Sequence, residues 1–249
     1  MKDNFTQKSV RDFWNSVAYK YEETNATVKQ IHYQRFEQAM TYNLSYEPKK
    51  ILNVWSRTGE AIPYIKKKYP NAKIYNLEIS DKMVEIFKKR YPKENINMLN
   101  FSNFNFPDNY FDLVISLETI EHTPNPVIFL KEIYRVLKPN KNLILSCPSA
   151  FSEIILFVYE IFFDNHGEGP HKFLSSNNMK KKFFFTNFTL IEHRGFIFFP
   201  VIGKLTKTIN NMLEYVMNKM YLSDIGIRQF YFLKKNEIYK NRWRIYSLK

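Results

Sequence analysis

The stretch FPDNYFDLVISLETIEHTPNPVIFLKEIYRVLKPNKNLILSCPS, residues 106–149, reads as strand, helix, strand. Within it, DLVISLE (112–118) is nearly all apolar, as a strand buried on both faces must be. Val127 to Leu137 carries apolar residues at helical spacing and is closed by Pro139 and a turn at Asn140. NLILSC (142–147) is again an apolar run of strand length. The same alternation continues toward the N-terminus. ILNVW (51–55) predicts a strand, Glu60 to Tyr69 a helix with Ala61, Ile62, Ile65 and Tyr69 on one face, and KIYNLE (73–78) a strand. Asp81 to Tyr91 predicts a helix with Ser80 as N-cap, and Ile96 to Leu99 a short strand. Five strands separated by helices at this spacing predict a parallel sheet with helices on both faces.

Two segments flank this core. Residues 8–44 predict helix, with aromatics at Phe13, Trp14, Tyr19, Tyr21, Tyr33 and Phe36. Beyond residue 150 the pattern predicts helices at about 150–163, 175–185 and 204–222, a polar loop at 164–172, and strands at about 187–195 and 227–235. The 249 residues contain 45% apolar and 17% aromatic side chains, enough for a real core, which excludes wholesale disorder. The expectation is one domain spanning 1–249: an N-terminal helical lid (1–45), a ligand-binding core (46–149) and substrate-covering helices with a final strand pair (150–249).

Lys plus Arg is 37 and Asp plus Glu is 24, a formal net charge of +13. That balance favours anionic partners without choosing among nucleic acid, a membrane surface and an acidic substrate. The single cysteine, Cys147, excludes an internal disulfide, and the five histidines show no zinc-like spacing, so no metal is expected. The N-terminus lacks the apolar run of a signal peptide. The greasy stretch Ala150 to Phe163 carries Glu153 and Glu160 and is shorter than the ~20 residues of a membrane span. The chain is expected to be cytoplasmic. The Met-rich helix, with Met212, Met217 and Met220, is a packed cover or a face for a lipid-like substrate, a membrane surface or a second subunit.

Open parallel sheets bind ligands outside the carboxyl ends of their strands, where strand order reverses. The loop after the first strand, Asn53-Val54-Trp55-Ser56-Arg57-Thr58-Gly59-Glu60, is therefore a candidate site. Glu78 ends the second strand about 20 residues later, a spacing that suits a carboxylate accepting from ribose hydroxyls.

Residues 106–149 resemble the class I S-adenosylmethionine-dependent methyltransferases of the small-molecule type that includes the quinone-pathway enzymes. The shared pattern is F-x-D-x-x-F-D leading into a strand, a strand ending near E-H, a helix, and R-V-L-K-P before the next strand. The likeness extends over about residues 45–149. It implies an α/β, Rossmann-like, seven-stranded, mostly parallel sheet with helices on both faces and an antiparallel last strand. It implies S-adenosyl-L-methionine as cofactor and S-adenosyl-L-homocysteine as product. By resemblance, Glu78 takes the ribose hydroxyls, Ile79 and Phe101 flank the adenine, and Asn100 stands where the family usually has an Asp for the adenine amino group. Leu117 and Glu118 lie beside the methionine part, and Tyr21 closes over the cofactor.

The first loop departs from the family's D-x-G-x-G-x-G. Asn53, Trp55 and Arg57 replace the Asp and the first two glycines, and only Gly59 survives. Those glycines allow close backbone approach and positive φ. Three readings follow. The loop takes a different path and holds the cofactor, with Arg57 gripping its carboxylate; it binds another nucleotide-like ligand; or Trp55 fills the site. The retained Glu78, Glu118, His122 and Tyr21 favour the first.

Methyl transfer to a hydroxyl calls for a base, most often His or an acid. Glu121, His122, His166 and His171 fall on loops near the predicted site. Asn165 to Phe173 gathers two glycines, two histidines and a glutamate, and makes His171 or His166 the base candidate with Glu168 orienting it. The expected function is methylation of a small molecule, at a sugar, phenol or lipid-linked hydroxyl. The alternatives are an inactive scaffold of the same fold and a nucleic-acid methyltransferase. The last is disfavoured by Leu117-Glu118-Thr119-Ile120 in place of an (N/D)-P-P-(Y/F) signature.

Overall fold

In the computed structural model, residues 5–27, 29–150, 152–153, 169–198, 204–220 and 222–237 are described. The strands are β1 (Lys50–Val54), β2 (Lys73–Glu78), β3 (Asn95–Met98), β4 (Phe111–Leu117), β5 (Leu137–Pro148), β6 (Phe188–Phe196) and β7 (Arg228–Lys235). They form one sheet in the order β3-β2-β1-β4-β5-β7-β6. β1 pairs in parallel with β2 and β4, β2 with β3, and β4 with β5; β7 runs antiparallel between β5 and β6. Strand order reverses between β1 and β4. Their following loops diverge there and open a cleft at the carboxyl edge.

The helices are α1 (Gln7–Val17), α2 (Tyr21–Thr27), α3 (Lys29–Ala39), α4 (Ile62–Lys68), α5 (Asp81–Arg90), α6 (Pro126–Val136), α7 (Ser176–Phe185) and α8 (Lys204–Lys219). Strand residues alternate between two cores, as the period of a β-strand requires. Leu52, Val114, Leu143 and Leu145 pack with α1, α6 and α7 through Trp14, Phe129, Ile133, Met179 and Phe183. Ile51, Leu113, Ile115 and Ile144 pack with α3 and α4 through Phe36, Ala39, Ile62 and Ile65.

Local signals act as their chemistry predicts. Ser80 Oγ accepts from Met83 N and starts α5, and Asn125 Oδ1 accepts from Val127 N and Ile128 N ahead of Pro126 at the start of α6. Arg135 ties the α6 end to the preceding loop by donating to Phe104 O, Phe106 O and Asp108.

Three readings need adjustment. The N-terminal helical segment is three helices ending at Ala39. β5 begins at Leu137 rather than Asn142: Leu137 pairs with Phe111 and Asn142 with Leu113, so the turn at Asn140 (φ 61°) is looped out inside the strand. The predicted helix at 150–163 lies outside the described residues except for Ala150, Ser152 and Glu153. Among the described residues no helix is long and apolar enough to cross a membrane, and no group of His, Cys, Asp and Glu is arranged to hold a metal ion.

Candidate active site

The β1 loop keeps an alternating left-handed backbone: Trp55 has φ 59°, Arg57 53° and Gly59 93°. These are the positions of the three glycines in the resembling family. Positive φ at these three positions is what glycines there would permit. The conformation persists with large side chains in it, at a cost of roughly 1–2 kcal/mol for each non-glycine residue. Only Gly59 is sterically compelled, because a Cβ there would lie 2.5 Å from the Tyr91 ring. At positions 55 and 57 the side chains project into the cleft instead. Ser56 N donates to Leu77 O at 2.8 Å and Arg57 N to Glu78 Oε2 at 2.7 Å, which pins the loop to β2.

Glu78 is fully buried. Its Oε1 accepts from Trp55 Nε1 at 3.1 Å and from the backbone N of Ile79 and Ser80, each at 2.9 Å; its Oε2 takes Arg57 N. Burial pushes its carboxyl up to about 7, against the pull of the Arg57 charge and the backbone donors. The acid expected to receive ribose hydroxyls is thus already bonded to four donors of its own chain.

Trp55 is 3% exposed. Its ring meets Phe101 edge-on at 5.7 Å, His122 at 5.0 Å and Trp14 of α1 at 5.6 Å. The Arg57 guanidinium lies 3.6 Å from the Trp55 ring centre and 4.0 Å from that of Trp14, and its Nη2 donates to Glu118 O at 3.3 Å. Burial lowers the Arg57 pKa. The sequence suggested Arg57 as a carboxylate grip. In the structure its guanidinium lies against two indoles that stand at 82° to each other.

The N-terminal helices close over this loop. Tyr21 donates its hydroxyl to Glu60 Oε2 at 3.0 Å, and Arg35 Nη2 donates to Tyr21 at 3.3 Å. His32 Nε2 lies 2.8 Å from Glu60 Oε1 and 3.0 Å from Arg35 Nη2. Burial raises the Tyr21 pKa and, with the Arg35 charge, lowers that of His32 to about 4. Thr58 Oγ1 donates to Glu22, which also pairs with Arg90. The sequence reading missed the Glu60–His32–Arg35 cluster, whose only signal was polar residues on otherwise apolar helix faces.

The remaining predicted positions divide. Ile79 and Phe101 are buried in the core beside Trp55, and Leu117 borders the cleft. Asn100 is exposed and its Oδ1 accepts from Ser102 N and Oγ, so it shapes its own turn. Asn53 points along the sheet and donates to Asn76 Oδ1 at 2.9 Å. The Glu118 carboxylate accepts from Ser146 Oγ at 2.7 Å and faces Arg228 at 3.4 Å.

Residues 169–173 dock against the turn Ile120–His122 that follows β4. Lys172 N donates to Glu121 O at 2.8 Å, and His122 Nδ1 donates to Pro170 O at 3.0 Å. His122 is buried, and burial holds its pKa well below the usual value. The His171 ring lies 6.2 Å from that of His122 and stacks on Phe173 at 4.4 Å. Its Nδ1 faces Gly169 O at 2.8 Å; a carbonyl only accepts, so in neutral His171 the free lone pair is on Nε2. His166 and Glu168 lie outside the described residues.

Residues 52–145 match the family described as "Methyltransferase domain". Over these residues the chain is similar to the S-adenosylmethionine-dependent methyltransferases. Demethylmenaquinone methyltransferase of Symbiobacterium thermophilum is 26% identical over 165 residues; the alignment spans 63% of this chain and 66% of that protein, a little under two thirds of its length. The protein of the same name from Chlamydia trachomatis serovar D is 24% identical over 184 residues, 72% of this chain and 79% of that one. Among solved structures, a SAM-dependent methyltransferase from Thermotoga maritima superposes with a TM-score of 0.66 at 20% identity, covering 90% of this chain and 99% of that one, a likeness of fold.

The cofactor of this methyltransferase family is S-adenosylmethionine. The donor set of the chain matches a nucleoside in kind, with Glu78 at the end of β2 and Phe101 beyond it. The space does not match. Trp55 lies between Glu78 and Phe101, and the cavity left beside the loop is about 10 Å³, room for one water molecule. Among the described residues, the cavity bordered by Arg35, Asn53, Ser56 and Arg57 does not hold the cofactor as these side chains stand.

Proposed function

We propose that the chain transfers a methyl group to a small-molecule acceptor, a hydroxyl of a sugar, phenol or lipid-linked compound, with His171 as the base. The observation that carries this reading is the docked segment 169–173. It sets His171 beside the carboxyl end of β4 with its Nδ1–H engaged by Gly169 O, which leaves Nε2 to receive a proton. The names of the demethylmenaquinone methyltransferases support an acceptor of the lipid-linked kind. The test is methyl transfer from labelled S-adenosylmethionine to a panel of such acceptors. His171→Ala should lower turnover by roughly 10²–10⁴ with S-adenosylhomocysteine affinity kept; full activity in that variant removes His171 from the role.

A second reading has its own observation. The filled β1 cleft suits a methyltransferase fold kept as a binding scaffold. A folded sample that takes up neither S-adenosylmethionine nor S-adenosylhomocysteine, and transfers no methyl group, makes that reading the leading one.

A further inference from the structure

The material that fills the cleft has the shape and polarity of half a ligand. The Trp55 indole is a flat bicyclic ring beside Phe101, and its one N–H reaches the carboxylate that a ribose would otherwise engage. Arg57 continues from it past Trp14 to the Glu118 carbonyl, along the edge where Leu117 ends β4. Both residues are held in left-handed conformations that favour glycine, so neither side chain arrives there by backbone preference.

The fit is incomplete at one end. Arg57 Nη1, Arg35 Nε and Ser56 Oγ are buried without a hydrogen-bond partner, and all three residues border the small residual cavity. Arg35 and Arg57 are 8% and 6% exposed. Unpaired buried donors on two cations mark a place where an acceptor is missing. The indole and the Arg57 side chain therefore fill the cleft, while Arg35 Nε and Ser56 Oγ remain as donors that a ligand carboxylate would pair once they are displaced.

We infer that Trp55 and Arg57 are a tethered occupant of the cofactor cleft, and that S-adenosylmethionine or its product binds this chain only in competition with them. The inference rests on the family's cofactor being the ligand of this cleft, and is independent of which acceptor is methylated. A chain that must first expel its own side chains shows an affinity reduced by the fraction of open molecules. Restoring glycine removes the competitor and suits the backbone at once.

The experiment is calorimetric titration of the full chain with S-adenosylhomocysteine, for wild type, Trp55→Gly and Arg57→Gly, each checked for a native circular dichroism spectrum. The expected result is at least about tenfold tighter binding by Trp55→Gly than by wild type. Equal affinity, or loss of binding in a folded Trp55→Gly protein, overturns the inference; the second outcome would make the indole a ligand contact. Where Trp55→Gly does not fold, Arg57→Gly decides, with tighter binding expected and unchanged or weaker binding contrary. Tighter binding without methyl transfer to any acceptor would uphold the occupant and sink the methyltransferase reading. Methyl transfer with equal affinities would do the reverse.

Discussion

Glu78 can be perturbed in two ways that separate its hydrogen bonds from its charge. Glu78→Ala removes the acceptor of four buried N–H groups: Trp55 Nε1 and the backbone of Arg57, Ile79 and Ser80. An unsatisfied buried donor costs roughly 1–3 kcal/mol, so four cost about 8 kcal/mol. Against this stands relief of a buried carboxylate. Its rise from 4.5 to about 7 corresponds to about 3 kcal/mol when the group is ionised. The net loss for Ala at pH 8 is about 5 kcal/mol. Glu78→Gln keeps an oxygen for the three donors at Oε1 and loses only the bond from Arg57 N, while gaining the same relief, so it should sit within about 1 kcal/mol of wild type at pH 8.

The pH dependence follows from the sign of the shift. An acid raised in the folded state holds its proton more tightly there than in the unfolded chain. Its stabilisation is present at low pH and is lost as pH rises from 4.5 to about 7. Wild type should therefore lose about 3 kcal/mol relative to Glu78→Gln across that window, measured by urea denaturation at several pH values. A wild type minus Gln difference that is flat with pH, or an Ala variant as stable as Gln, would refute the reasoning.

Two further outcomes can be checked on stability alone. Gly59→Ala puts a Cβ 2.5 Å from the Tyr91 ring at φ 93°, and should destabilise the fold by about 2 kcal/mol or more; a midpoint in urea equal to wild type would show that Tyr91 yields freely. His32 is held neutral to about pH 4 by burial and Arg35, while the unfolded chain protonates it near 6.5, so wild type should lose about 3 kcal/mol relative to His32→Gln as pH falls from 6.5 to 4. Parallel stability curves for the two proteins would place the acid sensitivity elsewhere.

The core was legible because its strands are buried on both faces and its helices carry explicit caps. DLVISLE and NLILSC have no polar face to confuse their reading, and Ser80 and Asn125 mark helix starts by their own hydrogen bonds. The extension of β5 back to Leu137 was hidden because Pro139 and Asn140 carry a genuine turn, which the strand absorbs as a bulge. The positions of Glu78, Phe101 and Tyr21 around the cleft were readable from spacing and likeness. What they touch was not, because it depends on side-chain direction. Glu118 sits just past the end of β4 as expected, yet its carboxylate is engaged by Ser146 and Arg228. In the β1 loop, residue identity did not reveal the positive φ at Trp55 and Arg57 or the bonds from Ser56 and Arg57 to β2 that pin it, so the filled space was not readable from the sequence.

The chain has three tryptophans. Two of them, Trp14 and Trp55, flank one guanidinium in the cleft, while Trp243 lies outside the described residues. The molecule therefore carries its own optical gauge of cleft occupancy. Indoles sealed from water emit toward the blue, and whatever separates Trp55 from Arg57 and Glu78 will admit solvent to it and move that emission to the red, without any label being attached.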